Sequence, residues 1–253
     1  MAAGASPATP TWSCLNKPEF AARTGQQRRS RLTNERRWSE VDSYFAKTLV
    51  GSDPALDEAL AANAAAGLPS IDVSAPQGKL IHLLARMSGA RKALEIGTLG
   101  GYSTIWLARA LPDDGRLITL EVSAKHADVA RRNVARAGLG GKVEIRTGPA
   151  LETLPKLEAE GLGPFDFVFI DADKTNNAAY LEWALRLSRP GTTIMVDNVV
   201  REGEVVNATS RSTDVVGVRR MFELMAREPR LSATAIQTVG AKGWDGFALA
   251  IVS

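Results

Sequence analysis

A single cysteine, Cys14, leaves the chain without an intramolecular disulfide, and two histidines, His82 and His126, with no ligand-spaced partner beside either, leave no basis for a zinc site. No apolar run approaches ~18 residues, so a membrane-spanning helix is not expected. The first residues lack the basic-then-apolar pattern of a secretory signal, and with so little cysteine the expected compartment is a reducing cytoplasm. Charge of one sign is also scarce, since 31 Lys and Arg against 28 Asp and Glu give a net +3. The excess is local: residues 1–40 carry Lys17, Arg23, Arg28, Arg29, Arg31, Arg36 and Arg37 against Glu19, Glu35 and Glu40, a net +4, so the remainder stands at −1. With no basic folded domain behind that stretch, a nucleic-acid-binding arm is not expected.

What is present fits one α/β domain of 253 residues with an ordinary globular composition. Residues 1–37 read as a flexible basic extension, and residues 38–253 as the folded domain. From Trp38 the pattern turns helical, with Val41, Tyr44, Phe45 and Leu49 on one face; Pro54 starts a second helix through Leu60, and Pro76 opens a third with Leu80, Leu83 and Leu84. Strands are expected at 92–97, 116–121, 142–147, 165–171 and 192–197, alternating with helices. Two more, around 232–239 and 246–252, follow without a helix and read as an antiparallel pair at the sheet edge. The polar segment from Val199 to Asp214 is expected to be a mobile loop over the site. Trp106, Trp183 and Trp244 read as packing residues.

Two acids stand directly behind two apolar strands. Asp171 follows Phe167-Val168-Phe169-Ile170, and Asp197-Asn198 follows Ile194-Met195-Val196. Short apolar runs rich in β-branched and aromatic residues read as buried parallel strands, so both acids should emerge at the edge where open α/β sheets bind ligands. Acids also cap strands and start helices for purely structural reasons. Two carboxylates and the Asn198 carbonyl converging there suit a hard cation, Mg²⁺, Ca²⁺ or Mn²⁺, rather than zinc.

A glycine-bearing turn strengthens the ligand reading. Residues 91–111 form an apolar strand ending at Glu95-Ile96-Gly97, a turn with Gly100-Gly101, and a helix carrying Ile105, Leu107 and Leu111. Glycine lets the backbone lie against a cofactor, and the helix amino terminus adds a partial positive charge. The dinucleotide fingerprint does not fit, because Leu99 stands where a small residue is needed and Glu95 would repel a pyrophosphate. An acid there suits a cationic ligand. The next strand ends at Glu121, whose position suits both hydroxyls of a ribose, and Ser123 caps the helix that follows.

The segments AGLPSIDVSAPQGKL, ALEIGTLGGYS, GPAL, FVFIDADK and VDNVVREG resemble the cation-dependent S-adenosylmethionine O-methyltransferases, the catechol and caffeoyl-CoA group in its bacterial branch, from about Trp38 to Val252. The resemblance implies a Rossmann-like class I methyltransferase fold: a mostly parallel seven-stranded sheet with helices on both faces and an antiparallel C-terminal edge strand. It also implies methyl transfer to a small catechol-like acceptor, a homodimer, and no membrane or nucleic-acid partner. Carried over residue by residue, cofactor contacts fall on Val73, Glu95, Gly97, Thr98, Ser103, Glu121, Ala150 and Asp173. Metal contacts fall on Asp171, Asp197 and Asn198, and catalysis on Lys174 with Asp171. Lys174, at the start of the helix after Asp171, is within reach of the same pocket; beside a cation and a sulfonium an ammonium is disfavoured, which suits a general base. Its plain alternative is a solvated lysine. Arg201-Glu202 stands where caffeoyl-CoA enzymes carry Trp-Asn, which favours small acceptors over a CoA ester, and no residue matches the acid that catechol enzymes set against the second hydroxyl. A nucleic-acid methyltransferase needs an Asn/Asp-Pro-Pro-aromatic turn where Asp171-Ala172-Asp173-Lys174 stands, and a cofactor-binding module without turnover would not need the intact Asp171, Lys174, Asp197 and Asn198 set.

Overall fold

A computed structural model describes residues 25–253, with side chains from residue 34 onward. The chain divides between Asn34 and Glu35, and the sheet with its helices belongs to the second unit, Glu35–Ser253. Helix α1 (Gly25–Phe45) is followed by a π-helical turn (Ala46–Val50), α2 (Pro54–Ala65) and α3 (Ala75–Met87). The alternating part then runs β1 (Lys92–Ile96), α4 (Tyr102–Ala110), β2 (Arg116–Glu121), α5 (Ala124–Arg136), β3 (Val143–Thr147), α6 (Ala150–Ala159), β4 (Phe165–Ile170), α7 (Asn177–Arg186) and β5 (Ser188–Asp197). Helix α8 (Thr213–Arg227) leads to the hairpin β6 (Leu231–Gly240) and β7 (Gly243–Val252).

Helix starts follow local chemistry. Asp53 accepts bonds from the amides of Ala55 and Leu56 with Pro54 at the first position of α2, and the Ser74 and Ser123 hydroxyls accept from Gln77 and His126. Helix α1 begins earlier than the expected Trp38, at Gly25. The stretch before Trp38 is mostly Gln, Arg and Glu, good helix formers without an apolar stripe, so periodicity could not flag it. The earlier part of the expected extension, residues 1–24, lies outside the described residues.

The sheet order is β3-β2-β1-β4-β5-β7-β6, with the first five strands parallel and β7 antiparallel to both β5 and β6. The C-terminal pair is therefore antiparallel as expected, with β6 outermost and β7 inserted beside β5; α8 separates the pair from β5. Period-two alternation divides the core. On β4, Val168 and Ile170 face a cluster with Leu94, Ile96, Leu181 and Met221, while Phe167 and Phe169 face one with Ile81, Ile105, Leu107 and Met195. Trp106 belongs to the second cluster, and a Cβ on Gly78 would lie 2.3 Å from its indole, so α3 and α4 pack closely only with glycine there. Trp183 stacks against the Arg186 guanidinium and packs on the first cluster, as expected of a packing residue, while Trp244 lies against Gly203 but stays 39% exposed. Among the described residues no helix is long and apolar enough to cross a membrane.

Candidate active site

The strand order reverses between β1 and β4, and at that switch point the carboxyl ends of parallel strands open a crevice. A cavity of about 510 Å³ lies there. Its walls include Val73, Gly97, Thr98, Ser103, Glu121, Ala150, Asp171, Asp173, Lys174 and Asn198, so residues far apart in the chain share one pocket. Gly97 has φ +102°, and a Cβ on it would meet the Asp171 carbonyl at 2.2 Å. Only glycine lets the β1 turn cross so close to the end of β4.

Glu121 is almost fully buried at the end of β2. Its carboxylate accepts from the amides of Thr98 (3.3 Å), Leu99 (2.8 Å) and Ser123 (2.9 Å), tying the glycine turn to strand two. His126, which sequence reasoning set aside, also lines the cavity, with Nδ1 3.4 Å from the Glu121 carboxylate. Its position five residues after the strand-end acid, in the first turn of α5, was the available signal. Asp173 accepts from the Tyr180 hydroxyl at 2.5 Å and the Asn176 amide at 2.6 Å.

Glu95 lies one layer below the cavity wall. It is wholly buried, and its carboxylate accepts from the hydroxyls of Ser103 (2.6 Å), Thr104 (2.5 Å) and Thr119 (2.7 Å). Burial outweighs those three bonds and, with the Asp171 charge, pushes it up to about 7. Because the folded protein then holds a proton that the unfolded chain loses near the ordinary glutamate value, stability falls as pH rises from about 4.5 to about 7. Glu95→Gln should therefore remove on the order of 3 kcal/mol of that loss at 1.36 kcal/mol per pKa unit. Urea unfolding of both proteins at pH 5 and pH 8 checks this; identical pH dependence would refute it.

Lys174 is 6 % exposed, which rules out the solvated-lysine reading, and its Nζ lies 2.7 Å from Asp171 Oδ1. A 3₁₀ turn (Lys174–Asn176) carries it, and α8 presses on that turn through Gly217, where a Cβ would lie 2.1 Å from the Lys174 carbonyl. Asp197 is 4 % exposed and accepts from its neighbour's amide, Asn198 N, at 2.8 Å and from Gln77 Nε2 at 2.6 Å. Its burial, reinforced by the Asp171 charge, pushes it up to about 7 against the opposing pull of Lys174. Asn198 has φ +58°, a left-handed conformation that asparagine tolerates better than most residues, and it lines both the main cavity and a smaller one of about 240 Å³ that also takes in Asp197 and Gln77.

Asp171 is half-buried and Asp197 buried, and the all-oxygen set of Asp171, Asp197 and Asn198 fits a hard divalent cation. No group of three or more His, Cys, Asp or Glu with metal-binding placement exists among the described residues, so an amide must complete any such set. Gln77, 120 positions from Asp197, gave no sequence signal. Only the first half of the expected mobile loop is anchored: Val199 and Val200 are buried, the amides of Val200 and Arg201 bond to Asp245 at 2.9 and 3.0 Å, and a 3₁₀ segment follows (Arg201–Val206), while residues 207–212 are irregular and mostly exposed. Arg201 and Asp214, paired at 3.1 Å, both reach the cavity wall.

A family model described as O-methyltransferase matches residues 47–250. A catechol O-methyltransferase of Mycobacterium tuberculosis is 59% identical over 213 residues, covering 84% of this chain and 95% of that protein. A catechol O-methyltransferase of Niastella koreensis is 52% identical over 219 residues, covering 87% and 99%. Among solved structures, an O-methyltransferase from Bacillus cereus in complex with SAH superposes with a TM-score of 0.85 at 60% identity, covering 86% of this chain and 99% of that one. An O-methyltransferase from Streptomyces achromogenes involved in tomaymycin synthesis, in complex with SAM, gives 0.84 at 52% identity, covering 87% and 98%.

Proposed function

The chain belongs to the O-methyltransferase family, and on that footing we propose that it transfers the methyl group of S-adenosylmethionine to one hydroxyl of a small vicinal diphenol, with a divalent cation at Asp171, Asp197 and Asn198 and with Lys174 as the base. S-adenosylmethionine-dependent O-methyl transfer is common ground for its relatives; the acceptor, cation and base are the proposal. The observation that carries it is the Lys174–Asp171 contact at 2.7 Å on the wall of a cavity that also holds Glu121, Ser103 and Asn198. Two relatives named catechol O-methyltransferase support a diphenol acceptor.

Methyl transfer is an in-line displacement that requires an anionic oxygen held against the methyl carbon. S-adenosylmethionine supplies the activated methyl on its sulfonium. Asp171, Asp197 and Asn198 would hold a divalent cation, which would supply Lewis-acid stabilisation of the phenolate. The residues of this chain do the remaining work. Glu121 faces the ribose, Ser103 and the Gly97-Thr98 backbone hold the methionine part, Asp173 and Ala150 border the nucleoside, and Val73 covers the cavity from the α2–α3 connection. Acting as the neutral amine, Lys174 Nζ would take the phenol proton and become the ammonium, which Asp171 then pairs at the same position. The test is turnover of a panel of diphenols, monophenols and a CoA-linked phenol with S-adenosylmethionine, with and without Mg²⁺. Methylation confined to diphenols and dependent on added cation supports the proposal, and equal turnover of monophenols without metal overturns it.

Pairing into a homodimer is part of the same proposal. At the end of α1 and the turn beyond it, Val41, Tyr44, Phe45 and Leu49 are 49%, 64%, 43% and 71% exposed, an apolar patch that a second copy would cover. Sedimentation at micromolar concentration should give a dimer that Tyr44→Glu weakens. A monomer at that concentration would remove the claim.

A further inference from the structure

The connection between α2 and α3 forms one wall of the main cavity through Pro69, Ile71, Asp72 and Val73. Asp72 is the charged group on it. Its Oδ1 accepts from Asn63 Nδ2 at 2.9 Å. Asn63 is 3% exposed on α2, and its own carbonyl accepts at 3.0 Å from Asn133, which is 1% exposed on α5. Asn133 donates in turn to the Gly100 carbonyl of the glycine turn at 2.9 Å. A Cβ on Gly100 would lie 1.8 Å from Asn63 Oδ1, so the turn and the amide pair are fitted to each other. Three buried polar groups thus fix one carboxylate against the same turn that carries Gly97 and Thr98. Asp72 makes no ion pair among the described residues: the Lys242 charge acts on it, but that ammonium is bonded to the Ser70 carbonyl at 3.3 Å.

A carboxylate held by an amide on one oxygen, open to a cavity on its other side and lacking a cation of its own is a receptor for a ligand cation. We propose that Asp72 receives the α-ammonium of the amino-acid end of S-adenosylmethionine, and that Asn63 and Asn133 are positioning residues that aim it. This rests on the S-adenosylmethionine-dependent activity given above. The orientation is electrostatically consistent, because the amino terminus of α4, beginning at Tyr102 beside the cavity-lining Ser103, favours the ligand's carboxylate while Asp72 would repel it. Charge-assisted bonds of this kind contribute about 1.5–3 kcal/mol, which converts to roughly a 10- to 100-fold change in affinity.

The test is calorimetric binding of S-adenosylhomocysteine and of 5′-methylthioadenosine, which lacks the amino-acid end, to the full chain. Asp72→Asn keeps the acceptor oxygen for Asn63 and removes only the charge. It should weaken S-adenosylhomocysteine about 10-fold or more and leave methylthioadenosine unchanged. Asn63→Ala should lower the same selectivity ratio in part, a readout that a general loss of packing would not give. Equal losses for both nucleosides, or no loss for S-adenosylhomocysteine in Asp72→Asn, overturn the assignment. Failure of the unmodified chain to bind either nucleoside would instead overturn the S-adenosylmethionine-dependent reading, and the assignment with it.

Discussion

Lys174→Ala should lower the rate of methyl transfer by ~10²–10⁴, the span of a positioned general base, while leaving cofactor and cation binding in place. The expectation follows from the placement of Nζ, buried and 2.7 Å from Asp171 Oδ1. With the side chain truncated, the phenol must lose its proton to solvent, so the mutant rate should climb with pH as hydroxide takes over deprotonation. Lys174→Arg should not recover activity, since a guanidinium stays protonated and cannot accept the proton. Single-turnover measurements separate this from slow product release. A near-normal chemical step in Lys174→Ala at neutral pH would remove the lysine from the chemistry and leave ionisation at the cation as the source of the nucleophile.

Removal of the cation, by exhaustive chelation or by Asp197→Ala, is expected to cost roughly 10³-fold in turnover, because Lewis-acid stabilisation supplies several kcal/mol of transition-state charge stabilisation. Asp197 is the more telling of the proposed ligands to delete. It is 4% exposed and held on both oxygens, by Gln77 and by the amide of Asn198, so its truncation removes one carboxylate without freeing a loop. Circular dichroism and thermal unfolding of the variant should match the parent protein apart from a modest shift. Gln77→Ala should raise the Mg²⁺ concentration needed for half-maximal rate by about 10- to 100-fold, the usual cost of losing a group that orients a metal ligand. Full activity of chelated protein, or of folded Asp197→Ala, would exclude the cation from the reaction.

Much of the fold was legible because its signals are local. A short apolar run followed by an acid marks the carboxyl end of a buried strand, and the β2, β4 and β5 termini at Glu121, Asp171 and Asp197 are marked in that way, while β1 is marked by the glycine turn behind it. Glu121, Asp171, Asp197 and the glycine turn stand out as candidates for the same reason, whereas Val73, Ser103, Ala150 and Asp173 are singled out only by the family resemblance. Helix α1 reaches further toward the amino terminus than its apolar period marks, because a helix built on propensity alone carries no such period. The segment from Val199 to Asp214 reads as a loop by composition, but the Asp245 carboxylate that fastens its start belongs to a strand some 45 positions away.

By itself, then, the sequence determined the alternation of strands and helices, the acids at the strand ends and the glycine turn, because backbone preferences and side-chain chemistry act within a few residues of one another. Only the tertiary structure decided which groups share a cavity and in what ionic surroundings. The insertion of β7 between β5 and β6, the reach of Gln77 to Asp197, the sinking of Glu95 beneath Ser103 and the Asn133–Asn63–Asp72 relay all join positions distant in the chain. They depend on the order in which strands pair and the depth to which each side chain is buried, which the linear spacing of residues does not encode.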